Sequence, residues 1–280
     1  MARFWRIAAP LIALALLAAA QRPASQSEVD LELVLAVDVS MSMNADELAF
    51  QRQGYLEALS NPDIVEAILT TGSGRVAITY MEWAGDEYAQ FVVPWMLIDS
   101  RESARAFVKK LTAEDPVRVD RTSISNALIK AGAAFGDNEW QGLRRVIDIS
   151  GDGPNNAGEH LPAARDRLVE EGITVNGLAL QVEGAPLGLG IDYLEDYYRA
   201  CVTGGSGSFV MSVRNWSQFS RALQLKLLQE ITGLPRERPM LQRADYDPIK
   251  GIAPKAAKPV DCQIGEKIWN RFMRQYNAID

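Results

Sequence analysis

The chain has 280 residues and a formal net charge of −7, which becomes −9 when residues 1–20, carrying Arg3, Arg6 and no acid, are set aside. A surface that acidic repels a phosphate backbone, and no basic cluster with interleaved aromatics offsets it, so nucleic-acid binding is excluded as a function class. With 48% hydrophobic and 23% charged residues, the chain can bury one large core, which fits one α/β domain or one domain with an appendage.

Residues 1–20 combine a short basic start at Arg3 and Arg6, an apolar run over 7–17 and the small residues Ala18, Ala19 and Ala20. This pattern predicts a secretory signal peptide cleaved after Ala20; an uncleaved anchor is the alternative. The run is shorter than the roughly 20 residues needed to span a bilayer, and no later stretch qualifies. The mature chain is therefore expected without a transmembrane segment, in the periplasm or outside the cell. There the two cysteines, Cys201 and Cys262, meet oxidising conditions. They either pair, pinning the chain's tail to its body, or Cys201 is simply a small buried apolar residue. With no Cys-x-x-Cys, neither a zinc site nor thiol redox chemistry is indicated.

A polar linker over 21–28 leads into an apolar, β-branched run over 29–37, read as a buried strand. A helix is expected over 45–59, with Leu48, Tyr55, Leu56 and Leu59 at helical spacing, and a short second helix over 64–69. Strands over 75–83 and 88–98 read as a hairpin at a sheet edge, where Pro94 is tolerated. Ser100 caps a helix running to Leu111. The charged loop 115–121 delivers Thr122 and Ser123 to a helix over 124–135. A strand over 144–149 ends in the turn-rich 150–156. A helix (161–171), a strand (173–181), a loop (184–190), a short helix (192–202), a strand (208–213) and a helix (216–232) follow. Beyond Gly233, residues 234–260 read as a linker and 263–276 as a terminal amphipathic helix using Ile264, Ile268, Phe272 and Tyr276.

Strands alternating with helices predict a doubly wound, mostly parallel sheet with helices on both faces over 29–233. Ligands of such sheets sit outside the carboxyl ends of the strands, where strand order reverses. The first strand ends in Asp38-Val39-Ser40-Met41-Ser42. Residues two apart share a side in extended chain, so Asp38, Ser40 and Ser42 can send three oxygens to one point. A bland reading competes, in which Ser42 or Asn44 caps the next helix and Asp38 is a loop acid. Asp152 follows a later strand in the same manner, and Thr122 opens a helix between them in sequence. If the strands over 29–37 and 144–149 are neighbours, the five residues form an all-oxygen site suited to Mg²⁺, Mn²⁺ or Ca²⁺ rather than a soft metal.

Asp38-Val39-Ser40-Met41-Ser42, then Thr122 followed by Ala127-Leu128, then Asp152-Gly153 after an apolar strand, resemble the von Willebrand factor type A (vWA) domain with its metal-ion-dependent adhesion site (MIDAS). The resemblance covers roughly residues 29–232. It implies Asp38, Ser40, Ser42, Thr122 and Asp152 as ligands of a divalent cation, Mg²⁺ first, with one position left for the carboxylate of a protein partner. The chain departs from the pattern by carrying Asp120-Arg121 where a glycine usually precedes the threonine, and Gly151-Asp152-Gly153 where Thr-Asp-Gly is common. The stretch 197–202, with Gly204-Gly205 and Phe209-Val210 after it, also resembles an exported bacterial branch of this family.

Three readings are weighed from this, and the intact ligand set argues against the third, a purely structural domain whose site is empty. The first is an exported, metal-dependent protein-binding module without catalysis. The second is a metal-assisted phosphohydrolase using Asp38 and the cation, which would ordinarily carry an acid where Ser40 stands. A Ser/His/Asp hydrolase is disfavoured, because His160 is the single histidine and sits in a helix-start context.

Overall fold

The run Leu31–Asp38 forms β2, and every one of its residues is buried. Leu33, Leu35 and Val37 enter one hydrophobic cluster while Val34 and Ala36 enter another, so the strand is apolar on both sides because both sides are covered. A computed structural model describes residues 26–115, 117–181, 190–234 and 259–276. The expected signal peptide, nearly all of the 184–190 loop and most of the 234–260 linker lie outside the described residues.

The main sheet also contains β3 (Val76–Trp83), β4 (Ala89–Ile98), β6 (Arg145–Gly151), β7 (Ile173–Leu180) and β8 (Val210–Val213), in the order β4-β3-β2-β6-β7-β8. All neighbours are parallel except the β3–β4 hairpin at one edge. Pro94 falls in the irregular stretch of β4 between Val93, which pairs with Tyr80, and Met96, which pairs with Ile78, so its missing N–H interrupts no regular ladder. A separate parallel pair joins β1 (Ser27–Val29) to β5 (Trp140–Gly142), a contact that the sequence reading did not anticipate.

One face of the sheet is covered by α1 (Ala45–Ser60), α2 (Pro62–Thr70), α3 (Arg101–Thr112) and α7 (Phe219–Thr232). The other is covered by α4 (Ile124–Ala134), α5 (Leu161–Glu170) and α6 (Leu194–Tyr197). Local chemistry sets the helix starts. Asn44 and Ser100 close reciprocal capping boxes with Glu47 and Ser103, and Ser123 caps α4 by accepting from the Asn126 N–H. The bland alternative for this region is thus half right: Asn44, not Ser42, caps α1, which leaves the Ser42 hydroxyl free for other partners. The helix expected over 192–202 is α6 followed by a π-turn at Tyr198–Val202.

The terminal helix α8 (Ile264–Tyr276) docks on the turn after β6, where Gly265 lies against the Asn155 carbonyl. Cys262, just before it, is disulfide-bonded to the fully buried Cys201, with the two Cα atoms 5.5 Å apart. Two buried charge clusters cross the α1/α7 face. Lys226 lies 2.5 Å from Asp148 and 2.6 Å from Glu230, all three out of contact with water, and Arg52 pairs closely with Glu82. Among the described residues, no helix is long and apolar enough to cross a membrane.

Candidate metal centre

β2 and β6 are direct neighbours, with Val37 opposite Ser150, so the chain leaves the sheet at Asp38 and at Asp152 on the same edge. Asp38 is fully buried. Its Oδ1 accepts from the Ser40 N–H at 2.8 Å, which turns the backbone and fixes the carboxylate. The Ser40 and Ser42 hydroxyls lie 2.8 Å apart, and Ser42 Oγ donates to Asp152 Oδ1 at 2.6 Å. Four of the five expected residues are therefore linked: Ser40, Ser42 and Asp152 through a chain of oxygens, and Asp38 to its head through the Ser40 N–H. The fifth, Thr122, lines the same cleft as Ser40, Ser42 and Asp152.

Thr122 is placed by residues not singled out in the sequence. Asn156 accepts from the Thr122 N–H with its side chain (3.0 Å) and donates its own N–H to the Thr122 carbonyl (2.9 Å). Asn155 ties the start of α4 by accepting from the Ser125 N–H at 3.1 Å. The loop before Thr122 is stitched to the loop after β2: Met41 N–H donates to the Val119 carbonyl, and Val119 N–H donates to that of Val39. The Asn155-Asn156 pair was legible only as turn chemistry, because its partners lie 30 and 34 residues away.

The electrostatics are those of a site short of positive charge. Burial, and then the neighbouring Asp152 carboxylate, push the Asp38 pKa well above the ordinary range. Burial raises Asp152 to about 6, against a lowering by its bond from Ser42. Asp38 Oδ2 is buried and finds no hydrogen-bond partner, and the same holds for the hydroxyl of Tyr198. Gly151 makes the room: a Cβ there would lie 2.6 Å from that hydroxyl and 2.9 Å from Asp38 Oδ2. An unpaired buried oxygen costs about 1–3 kcal/mol unless something answers it. A hard divalent cation fits this set, having two carboxylates for charge and three hydroxyls for further oxygens.

The cleft, of about 330 Å³, is closed on its far side by Trp269, Phe272, Met273 and Tyr276 of α8. Arg121 also lines it, with its guanidinium 5.0 Å from the centre of the Trp269 ring and donating to the Asn156 carbonyl at 3.2 Å. Its φ of 67° is left-handed, the one such non-glycine position among the described residues.

Residues 28–235 match the family described as Protein of unknown function (DUF1194). The chain belongs to that family. A comparison with curated proteins gives no match. Among solved structures, this DUF1194 chain is similar to proximal thread matrix protein 1 of the mussel byssus, at 16% identity and a TM-score of 0.55, covering 74% of this chain and 50% of that one. The same mussel protein with a zinc-occupied MIDAS motif gives a TM-score of 0.50 over the same shares. It is also similar to the pilus adhesin SpaC from Lactobacillus rhamnosus GG, at 11% identity and a TM-score of 0.55, covering 72% of this chain and 30% of that one. The chain thus spans half or less of the length of these relatives, and at such identities the likeness is one of fold. That fold is the vWA type, as the order of the motifs implies.

Proposed function

We propose that this DUF1194 chain is an exported binding module that engages a protein partner through a divalent cation held by Asp38, Ser40, Ser42, Thr122 and Asp152. The single observation carrying this reading is the buried, unpartnered Oδ2 of Asp38 at the head of the Ser40–Ser42–Asp152 oxygen chain. When bound, a cation such as Mg²⁺ or Mn²⁺ supplies a positive centre that an acidic side chain of a partner can approach. The protein's own groups do the rest. Asp38 and Asp152 neutralise charge, Ser40 and Ser42 together link them, and the Asn156 clamp presents Thr122. The mussel protein's occupied motif and the adhesin's fold support the reading by analogy.

For the rival hydrolytic reading, the residue two beyond Asp38 is Ser40, and His160 stands exposed at the start of α5, making no side-chain cap bond and lining no part of the cleft. The experiment is calorimetric titration of Mn²⁺ into the native protein and Asp38→Asn, beside an aryl-phosphate turnover assay. One bound ion is expected in the native protein. The substitution should weaken it by more than about 100-fold, beyond the roughly 10–100-fold typical of groups that merely orient a ligand. Equal affinity in both proteins defeats the assignment, and metal-dependent turnover that is lost in Asp38→Asn moves it to the hydrolase.

A further inference from the structure

We infer that α8 forms the second half of a composite site, in which a large apolar side chain of an extended partner peptide enters between α8 and the Arg121 loop while a nearby carboxylate of the same peptide reaches the oxygen cluster. The inference rests on the functional reading above and adds the chemistry of what is recognised.

Trp269, Phe272 and Tyr276 follow one another along α8, with ring centroids 5.8 and 6.4 Å apart, and together with Met273 they make a continuous apolar wall opposite Ser40, Ser42, Thr122 and Asp152. This wall is not what holds the helix down. The anchors all lie at its start: the Cys201–Cys262 bond, the Tyr197 hydroxyl donating to the Cys262 carbonyl at 3.2 Å, and Asn155 Nδ2 donating to Glu266 at 2.7 Å. Gly265, the one buried residue of α8, lies so tightly on the Asn155 carbonyl that a Cβ would collide with it. Full burial is thus confined to the first turn. The aromatic side chains one to three turns on stay only half-covered, and Tyr276 is 61% exposed.

Arg121 stands at the seam of the two halves. Its left-handed conformation, disfavoured for a non-glycine residue, carries the guanidinium over the Trp269 ring, in the cleft that Ser40, Ser42 and Asp152 also line. That charge complements a carboxylate arriving at the cluster. A volume of about 330 Å³ is at the small end of ligand pockets, which run roughly 300–1,000 Å³. It admits one or two side chains and no folded surface, which selects an extended segment. Since one wall is oxygen and guanidinium and the other aromatic, the segment must carry an acid and a large apolar residue at neighbouring positions.

The test uses three fluorescent octapeptides in Mn²⁺: one with Phe two positions from a single Asp, one with Gly replacing that Phe, and one with Asn replacing that Asp. Binding is read by anisotropy with the native, oxidised protein, Phe272→Gln and Phe272→Leu, and Mn²⁺ affinity is measured for each. The Phe/Asp peptide should bind at least about tenfold more tightly than the Gly/Asp peptide, matching one side chain's burial. The Asn peptide and added chelator should abolish binding. Phe272→Gln should erase the preference for Phe, Phe272→Leu should keep it, and neither should change Mn²⁺ affinity. If Mn²⁺ binds but the Phe and Gly peptides are equivalent, or none binds, or Phe272→Gln leaves the preference intact, the composite site is wrong while the functional reading stands. Failure of the native protein to bind Mn²⁺ overturns both.

Discussion

Glu230 responds to pH although its side chain is fully buried beneath the sheet. Burial, and then the Asp148 carboxylate across Lys226, push its pKa up to about 8 against the pull of the Lys226 ammonium. Two acids share one ammonium, so one buried negative charge is unanswered and the proton stays. Between the unfolded value near 4.5 and about 8, the folded state holds a proton that the unfolded state has lost. Stability contributed by this group is therefore lost as pH rises through that window. Thermal melts from pH 5 to 8.5 should show Glu230→Gln, which is neutral throughout, with a flatter profile than the native protein; an unchanged slope would rule out Glu230 as its source. Lys226 and Glu230 are four apart on α7, a spacing that in sequence reads as an ordinary surface pair. Only Asp148, on a strand 78 residues earlier, makes the pair a buried cluster. That Asp38, Ser40, Ser42 and Asp152 converge was legible for the opposite reason: oxygens alternate at the end of an apolar run, and a doubly wound sheet sets the ends of β2 and β6 side by side. The Asn156 clamp and the Trp269 wall were not legible, because each acts on a residue brought near only by the fold.

Among the elements, those with long periodic patterns were readable to within a residue or two: β2, β3, β7, α1, α3 and α8. β5 has three residues and no pattern, and it exists because β1 offers it a parallel edge. The stretch 192–202 reads as one helix because its tyrosines fall at helical spacing, yet Tyr197 and Tyr198 are both buried, and the chain accommodates two such rings by a π-turn. α8 was expected to use Ile264, Ile268, Phe272 and Tyr276. Ile264 does pack on the core cluster, while Trp269 and Met273 share the cleft with the latter two. Its attachment can be measured. The disulfide closes a loop spanning 61 residues, which in the chain-entropy account is worth about 4 kcal/mol. For Cys262→Ser we expect a lower melting temperature and, under limited proteolysis, loss of α8 before the sheet domain. Identical melting and digestion of the two proteins would show that the bond constrains nothing.

At the scale of the whole molecule, the candidate centre should act as a clasp between the two halves of the sheet, since Asp38 and Asp152 belong to different βα units. A ligand that binds only the folded chain stabilises it by about 2.7 kcal/mol at 100 times its dissociation constant. For a domain of this size that corresponds to a rise of roughly 5–10 °C. Saturating Mn²⁺ should produce such a rise in the native protein and none in Asp38→Asn, and an equal rise in both would place the ion elsewhere. Acidic chains collect cations weakly over their whole surface, so the variant is the necessary control.

The sheet order has a consequence for time as well as for space. β2 is the first strand of the main sheet, but its neighbour β6 arrives late, and Ser42 meets an Asp152 that is 110 residues further along. At synthesis rates of roughly 5–20 residues per second, the first oxygens wait some 5–20 s for the second carboxylate. They wait as long again for the helix whose cysteine must still find Cys201. On the reading proposed above, a partner that needs both walls of the cleft ignores every unfinished or unoxidised copy, so recognition doubles as an inspection of the completed chain.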